Sequence, residues 1–459
     1  MTTLVLPGKI ATELLGAASK AHESAAVLLA RPLTTPNGDL RILACSLEWV
    51  ADDAYTRRTA HELLITSEGY VHALGKAQQG KYVAIFLHTH PGSSNVPEPS
   101  YRDSVVDQQL TNLFHDRTDV DFYGSLVISR QVEDLMITGN ITYRGEQSQV
   151  NRIFIVGERL SLLPAYGQSY SILPDRFDRN IRAFGGEIQQ VLQNLHVGIV
   201  GCGGTGSAVA EQLVRLGVQQ LTLMDPDRLS TSNVTRVYGS TLDDVGELKV
   251  DVLGANLTKI IPDVHISKIP TMITNQSSAK RLASCDVIFG CTDDNAGRLI
   301  LSRLATYLIV PVIDCGVILS SDATGLLTGI DGRVTVLVPG AACLTCRDRI
   351  DITRANSELM TPEEHGRLAG EGYAPALNGI EPAVITYTSS VAAMAVSELL
   401  ERLIHYGIEP VPNEIILRMH DREMSSNIMS PKTGHYCDPQ SGKLGLGVSD
   451  PFLDFQWTS

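Results

Sequence analysis

The stretch LHVGIVGCGGTGSAVAEQLVRLGVQQLTLMDPD, residues 195–227, decides the fold. An apolar run, a glycine-rich turn, a segment with helical apolar spacing and a second apolar run follow one another without a break. That order is strand, turn, helix, strand, the unit from which parallel sheets are built. Gly201, Gly203 and Gly206 form G-x-G-x-x-G directly after the first strand. Glycines serve there for a tight turn and for close backbone approach to a phosphate, which then sits on a helix N-terminus. Asp225 ends the second strand, where a carboxylate can take ribose hydroxyls. The loop suits ATP and NAD equally, so it gives the fold before it gives the reaction.

Outward from this unit, DVIFGCT (286–292) and VPVIDCGV (310–317) read as further strands of the same sheet. VAAMAVSELLERLI (391–404) has the apolar spacing of an amphipathic helix. In the first 150 residues a helical pattern (8–22) precedes the strands AAVLLA, RILACSLEWV, YVAIFLHTH and DFYGSLVIS. The expected fold class is α/β throughout. A mixed α/β domain occupies 1–150, a connector 151–175, a Rossmann-like doubly wound domain 176–410 and a looser tail 411–459.

The chain has 459 residues, too many for one core, with 43% hydrophobic and 19% charged residues, as in ordinary folded proteins. A net charge of −14 argues against a nucleic-acid partner, which needs a basic face. Eight cysteines are too sparse for a disulfide scaffold, and Cys202, Cys285, Cys291 and Cys315 lie in apolar or glycine-rich runs typical of buried thiols. The first residues lack a signal-peptide pattern and no apolar run reaches the ~20 residues of a membrane span. The expectation is a soluble cytoplasmic protein without a membrane partner.

HTHPGSSNVPEPSYRD, residues 88–103, carries the first chemistry. His88 and His90 end a strand, so the period of two points both imidazoles to one face. Two histidines and a carboxylate with an open fourth position are a catalytic zinc set, and Asp103 is the candidate carboxylate. Zinc lowers the pKa of a water ligand toward ~7, and Glu23 in HESAAVLLA is the candidate general base. These residues resemble the JAB/MPN (JAMM) metallopeptidases, whose signature is an early Glu, HxHP and SxxD. The resemblance implies that Glu23 activates the water, that His88, His90 and Asp103 bind zinc, and that Ser100 holds the oxyanion. It further implies cleavage after the C-terminal glycine of ubiquitin-like proteins. Nine residues separate His90 from Ser100 where the family has seven, and a second SxxD, Ser104 to Asp107, leaves the third ligand open.

Beyond the glycine loop come Asn233 and Arg236 in STSNVTRVYG, Gly246 and Lys249 in VGELKV, and Asp293 in CTDDNAGR. A nicotinamide enzyme has no evident use for this Arg and Lys; an enzyme transferring AMP needs them as charge develops on the α-phosphate. The series resembles the ThiF/MoeB superfamily, which includes the ubiquitin-activating enzymes, from about 176 to 405. By that resemblance Arg236 and Lys249 contact the triphosphate of ATP, Asn233 helps to place it, and Asp293 organises magnesium and the attacking carboxylate. RFDRNIRAFG (176–185) looks like the family's opening helix. Its Arg179 would reach the ATP site of a second copy, implying a homodimer.

Cys343 and Cys346 form CxxC, and His435 with Cys437 is the pair that would complete a structural zinc tetrad. Residues 351–390 contain no cysteine, so either Cys343 or Cys346 forms a thioester or the adenylate passes to a separate acceptor. Residues 352–373 would form a crossover segment over the substrate groove. The substrate implied is a ubiquitin-like or sulfur-carrier protein ending in glycine. A conjugating-like enzyme would be a further partner, as in a bacterial conjugation system. The alternative is sulfur-carrier adenylation with the first domain acting in processing or only as a docking module.

Overall fold

A computed structural model describes residues 1–92, 97, 99–118, 121–131, 134–164, 173–322, 324, 326–360 and 383–457. The chain divides into two compact units, Met1–Ser169 with Gly445–Gly447, and Tyr170–Leu444 with Val448–Ser459.

In the first unit β1 (Thr2–Pro7) leads into α1 (Gly8–Ala18), then β2 (Ala25–Thr34) and β3 (Leu40–Trp49). A small hairpin, β4 (Tyr55–Arg58) and β5 (Leu63–Ile65), precedes α2 (Glu68–Gly80), β6 (Val83–Thr89) and α3 (Tyr101–Thr118). The strands β7 (Phe122–Gln131), β8 (Asp134–Tyr143), β9 (Glu146–Gln149), β10 (Arg152–Val156) and β11 (Leu160–Pro164) follow. The main sheet has the order β11-β10-β1-β3-β2-β6-β7-β8-β9. Side-chain parity sorts its two faces. Ala26, Leu28, Ile85 and Leu87 pack against Ile10, Leu14 and Ala18 of α1. Ala25, Val27, Ala84 and Phe86 pack against Ala73, Leu74 and Ala77 of α2 and Leu110 and Phe114 of α3. Because both faces are covered, AAVLLA is buried without alternation. The expected helix over 8–22 stops at Ala18, where Ser19 turns its hydroxyl onto the Leu15 carbonyl.

The second unit opens with α4 (Asp178–Phe184) and α5 (Gly186–Asn194). It continues with β12 (His196–Val200), α6 (Gly204–Leu216), β13 (Gln220–Met224), α7 (Lys249–Ile260), β14 (His265–Ile269) and α8 (Gln276–Arg281). Then come β15 (Val287–Gly290), α9 (Asn295–Tyr307), β16 (Val312–Ser321), β17 (Leu327–Leu337) and α10 (Ile352–Glu358). The last elements are α11 (Ile385–Ile404), β18 (Glu414–Arg418) and β19 (Glu423–Asn427). The sheet order is β14-β13-β12-β15-β16-β17-β18-β19. The first five strands are parallel and the last three antiparallel. Strand order reverses between β12 and β15, the switch point where open α/β sheets bind ligands.

Two expectations are corrected. Residues 152–164 are not connector: β10 lies parallel to β1 and carries β11 at the sheet edge, and the boundary between units falls at Ser169. Residues 411–444 are not a loose tail, since β18 and β19 extend the second sheet. That sheet is mixed, as the three antiparallel strands at its edge show. No helix among the described residues is long and apolar enough to cross a membrane.

Glu414 of β18 anchors this edge. Its side chain is 1% exposed and takes Arg349 at 2.9 Å and Arg347 at 3.4 Å. Burial alone would raise its pKa, but hydrogen bonds from Arg349 and Asn427 and the two guanidinium charges outweigh it and hold the value at about 2. A carboxyl whose folded pKa is depressed adds stability above its ordinary value of 4.5, and that stability is lost as pH falls toward about 2. Urea midpoints are expected to fall across that window in the wild type. Glu414→Ala should cost about 3–5 kcal/mol at neutral pH, because it strands buried Arg347. An unchanged midpoint in the variant contradicts this role.

Candidate functional site

In the first unit, parity and register assemble a cluster from three distant segments. His88 continues the Ala84–Phe86 face of β6, toward α2 and α3, and His90 N–H extends the ladder to the Ile128 carbonyl at 2.8 Å. Ala25 of β2 pairs with His88, so Glu23, two residues before Ala25, comes level with His90. α3 brings Asp103 in its first turn. The two Nε2 atoms lie 3.0 Å apart, and Asp103 oxygens lie 3.4 Å from His88 and 3.8 Å from His90. Zinc–nitrogen bonds of about 2.0–2.1 Å at tetrahedral angles need donor separations of roughly 3.3–3.4 Å. This set can hold zinc with small adjustments. The His88 Nδ1 is buried without a hydrogen-bond partner among the described residues.

Ser100 orients the carboxylate: its N–H donates to Asp103 Oδ2 at 2.6 Å, and Asp103 N–H donates to its hydroxyl at 3.2 Å. Burial would raise the Asp103 pKa, but hydrogen bonds from His88 and Ser100 and the His88 charge pull it well below the usual range. Asp107, the rival from the second SxxD, instead accepts from the Tyr123 hydroxyl at 2.9 Å. Glu23 is buried at 6% exposure. Burial lifts its carboxyl to about 7, opposed by His88 and reinforced by Asp103 and Glu62. Burial, then His88, pushes the His90 pKa down. Of the nine residues between His90 and Ser100, residues 93–96 and 98 lie outside the described residues.

In the second unit, Gly201 has φ +91°, and a Cβ there would sit 2.6 Å from the Cys291 carbonyl oxygen. A Cβ on Gly206 would strike the Gly201 carbonyl at 1.8 Å, so helix and strand close only on glycine. A Cβ on Gly203 would meet nothing within 4 Å. The helix N-terminus is thus left open at the place a phosphate would fill. Asp225 takes the N–H of Cys202 at 2.7 Å and of Asp227 at 2.8 Å, and burial raises its pKa. Lys249 at the start of α7 stands 3.8 Å from Asp225 and 2.7 Å from Asp227. Arg236 carbons lie 3.4 Å from where a Gly204 Cβ would be, so its side chain crosses the first turn of α6. The Asn233 Oδ1 accepts from Ser230 N–H at 3.2 Å.

The two aspartates after β15 divide their work. Asp294 caps α9 by accepting from Gly297 N–H. Asp293 is exposed at the carboxyl end of the sheet and has no ion pair among the described residues. Its neighbour Thr292 packs on the glycine loop, its nitrogen 3.0 Å from a Gly201 Cβ position. Arg179 is exposed on α4. The crossover segment is described only to residue 360, where α10 sets Glu358 on the Ala296 N–H of α9 at 2.8 Å; residues 361–373 lie outside the described residues.

Cys343, Cys346, His435 and Cys437 offer four ligand atoms within 4.8 Å of one another. The pairs Cys343–His435 and Cys346–Cys437 are each 3.6 Å apart, and His435–Cys437 is 3.2 Å. Bonds of about 2.3 Å to sulfur and 2.0 Å to nitrogen call for separations near 3.5–3.8 Å. The set can hold a tetrahedral zinc. A hydrogen bond with Cys437 draws the Cys343 thiol down to about 5, while burial pushes Cys346 up.

Sequence reasoning missed Arg58 and Tyr55, which grip the Glu23 segment. Their only signal is an Arg three residues after a Tyr in the short polar run YTRR, which says nothing until the fold closes.

A model described as the ThiF family matches residues 177–436, more than half of the chain. Molybdopterin-synthase adenylyltransferase of Escherichia coli (strain K12) is 31% identical over 195 residues, covering 41% of this chain and 74% of that protein. The Salmonella typhimurium protein of the same name is 28% identical over 246 residues, covering 53% and 86%. Sulfur carrier protein ThiS adenylyltransferase of E. coli is 30% identical over 184 residues, covering 40% and 66%.

Proposed function

The chain belongs to the ThiF family, and from that footing we propose that it adenylates the C-terminal glycine of a ubiquitin-like protein and processes the same protein with a zinc peptidase site. The observation that carries the first half is the open helix N-terminus at Gly203, with Arg236 across the first turn of α6 and Lys249 beside Asp225. The carrier carboxylate attacks the α-phosphorus of ATP, the α–β anhydride bond breaks, and pyrophosphate leaves with an acyl-adenylate behind. Asp225 serves the ribose, Asn233 the placement of the nucleotide, and Arg236 with Lys249 the charge of the triphosphate. Lys249 is held on Asp227 and releases that partner when phosphates arrive. Asp293 supplies a carboxylate for magnesium and aligns the substrate tail. Arg179 completes the site of a second copy.

In the first unit His88, His90 and Asp103 hold zinc in the manner of JAB/MPN peptidases. Zinc supplies Lewis acidity there. Glu23 takes a proton from the attacking water and returns it to the leaving amine. Ser100 steadies both Asp103 and the oxyanion. Four donors at Cys343, Cys346, His435 and Cys437 hold a second, structural zinc. Metal analysis of the purified chain tests both sites: two zinc ions per wild-type chain, one in His88→Ala and one in Cys346→Ser. A His88→Ala chain with undiminished zinc removes the peptidase site.

A second reading, sulfur-carrier activation, draws on the absence of cysteine from 351–390 and on the relatives' names. A carrier thioester stable to denaturation but cleaved by thiols favours conjugation; adenylate without any thioester favours sulfur transfer.

A further inference from the structure

Arg58 touches no candidate ligand, yet every side of its guanidinium is engaged around the segment that carries Glu23. Its Nε donates to the Glu23 carbonyl at 2.6 Å and its Nη2 to the Ser24 hydroxyl at 2.6 Å. Its Nη1 donates to Asp52 at 2.8 Å, and the group lies 4.4 Å over the Tyr55 ring. Tyr55 continues the grip, accepting from the Ala25 N–H at 2.9 Å. On the other side of the hairpin the Thr59 carbonyl takes the Glu23 N–H at 2.8 Å. Three successive residues, 23 to 25, are therefore tied to one hairpin through their main chain or hydroxyl. The Glu23 carboxylate is left out of these bonds and feels the charges of His88 and Asp103.

We propose that Arg58, steadied by Tyr55 and Asp52, is a positioning residue that fixes the Glu23 carboxylate at the zinc site by clamping its main chain. The proposal rests on the peptidase reading above. A planar guanidinium with fixed donor directions suits this task, because it bonds two adjacent acceptors at once and stacks on an aromatic face. A lysine offers one flexible point charge and cannot do both. Displacing a base by about 1 Å costs on the order of 100-fold in rate without weakening substrate binding.

The test uses the full chain and the aminomethylcoumarin amide of a small carrier protein ending in Gly-Gly. Arg58→Ala is expected to lose about 10- to 100-fold in kcat with KM changed less than about threefold. Its zinc content stays at the wild-type level, and free guanidinium ion restores part of the rate. Arg58→Lys recovers little. Amide hydrogen exchange at residues 23–25 quickens in Arg58→Ala and not at residues 85–88. Wild-type kcat, unchanged exchange at 23–25, or a rate loss matched by zinc loss each overturns the clamp. A wild-type chain that cleaves no amide overturns the peptidase reading and the catalytic role with it, while the exchange result still reports the tie itself.

Discussion

Asp293→Asn is expected to reduce carrier-dependent ATP–pyrophosphate exchange by about 10³-fold, with nucleotide binding weakened far less. The carboxylate stands exposed at the carboxyl end of β15, next to the glycine loop, and caps no helix. On the adenylation proposed above, its charge would matter most as negative charge moves from the carrier tail onto the α-phosphate. Asp294 provides the contrast. It caps α9, so Asp294→Ala should cost about 1 kcal/mol of stability. Its exchange rate should stay within about tenfold of wild type. Equal losses in the two variants would mean that the loop as a whole, and not the free carboxylate, sustains the reaction.

The second large effect concerns the cysteine–histidine cluster. Cys346 and Cys437 are buried, and the cluster ties the loop after β17 to the chain following β19. Few apolar groups cover this corner: the packed set is Ala342, Cys343, Cys346 and Cys437, with Met429 and Tyr436 beside it. A bound zinc then supplies folding free energy that packing does not. Cys346→Ser should remove one zinc and about 5 kcal/mol, which lowers Tm by roughly 10–20 °C in a unit of this size. Strong chelators should do the same to the wild type and nothing further to the variant. A variant with unaltered Tm and zinc content assigns these thiols no structural role.

The contrast between what was legible and what was not follows sequence distance and exposure. The β12–α6–β13 unit was readable because its turn glycines and its two apolar runs lie within 33 residues. His88 and His90 were readable because a period of two needs only the strand that carries them. The four residues that could hold a metal near 343 and 435 were readable as types and spacings, though their meeting depends on β18 and β19. Of those two strands, β18 carries the apolar run EIILR, whereas β19 gives no signal, since EMSSN is exposed throughout and shows no alternation. β10 pairs in parallel with β1, about 150 residues away, so its place in the sheet was hidden, although the short Gly157–Arg159 turn to β11 gave a local hairpin signal. The division between Asp293 and Asp294 was hinted at by a glycine three residues after Asp294, the position a capping aspartate serves. Arg58 had no such hint, because its role exists only once the hairpin meets the segment before β2.

The most direct measurement is pyrophosphate release by the wild-type chain given ATP, magnesium and a carrier protein ending in Gly-Gly. Release that needs all three and disappears when the carrier's final glycine is amidated is the predicted result. No release with the intact carrier, or binding of NAD in preference to ATP, would contradict adenylation by this chain.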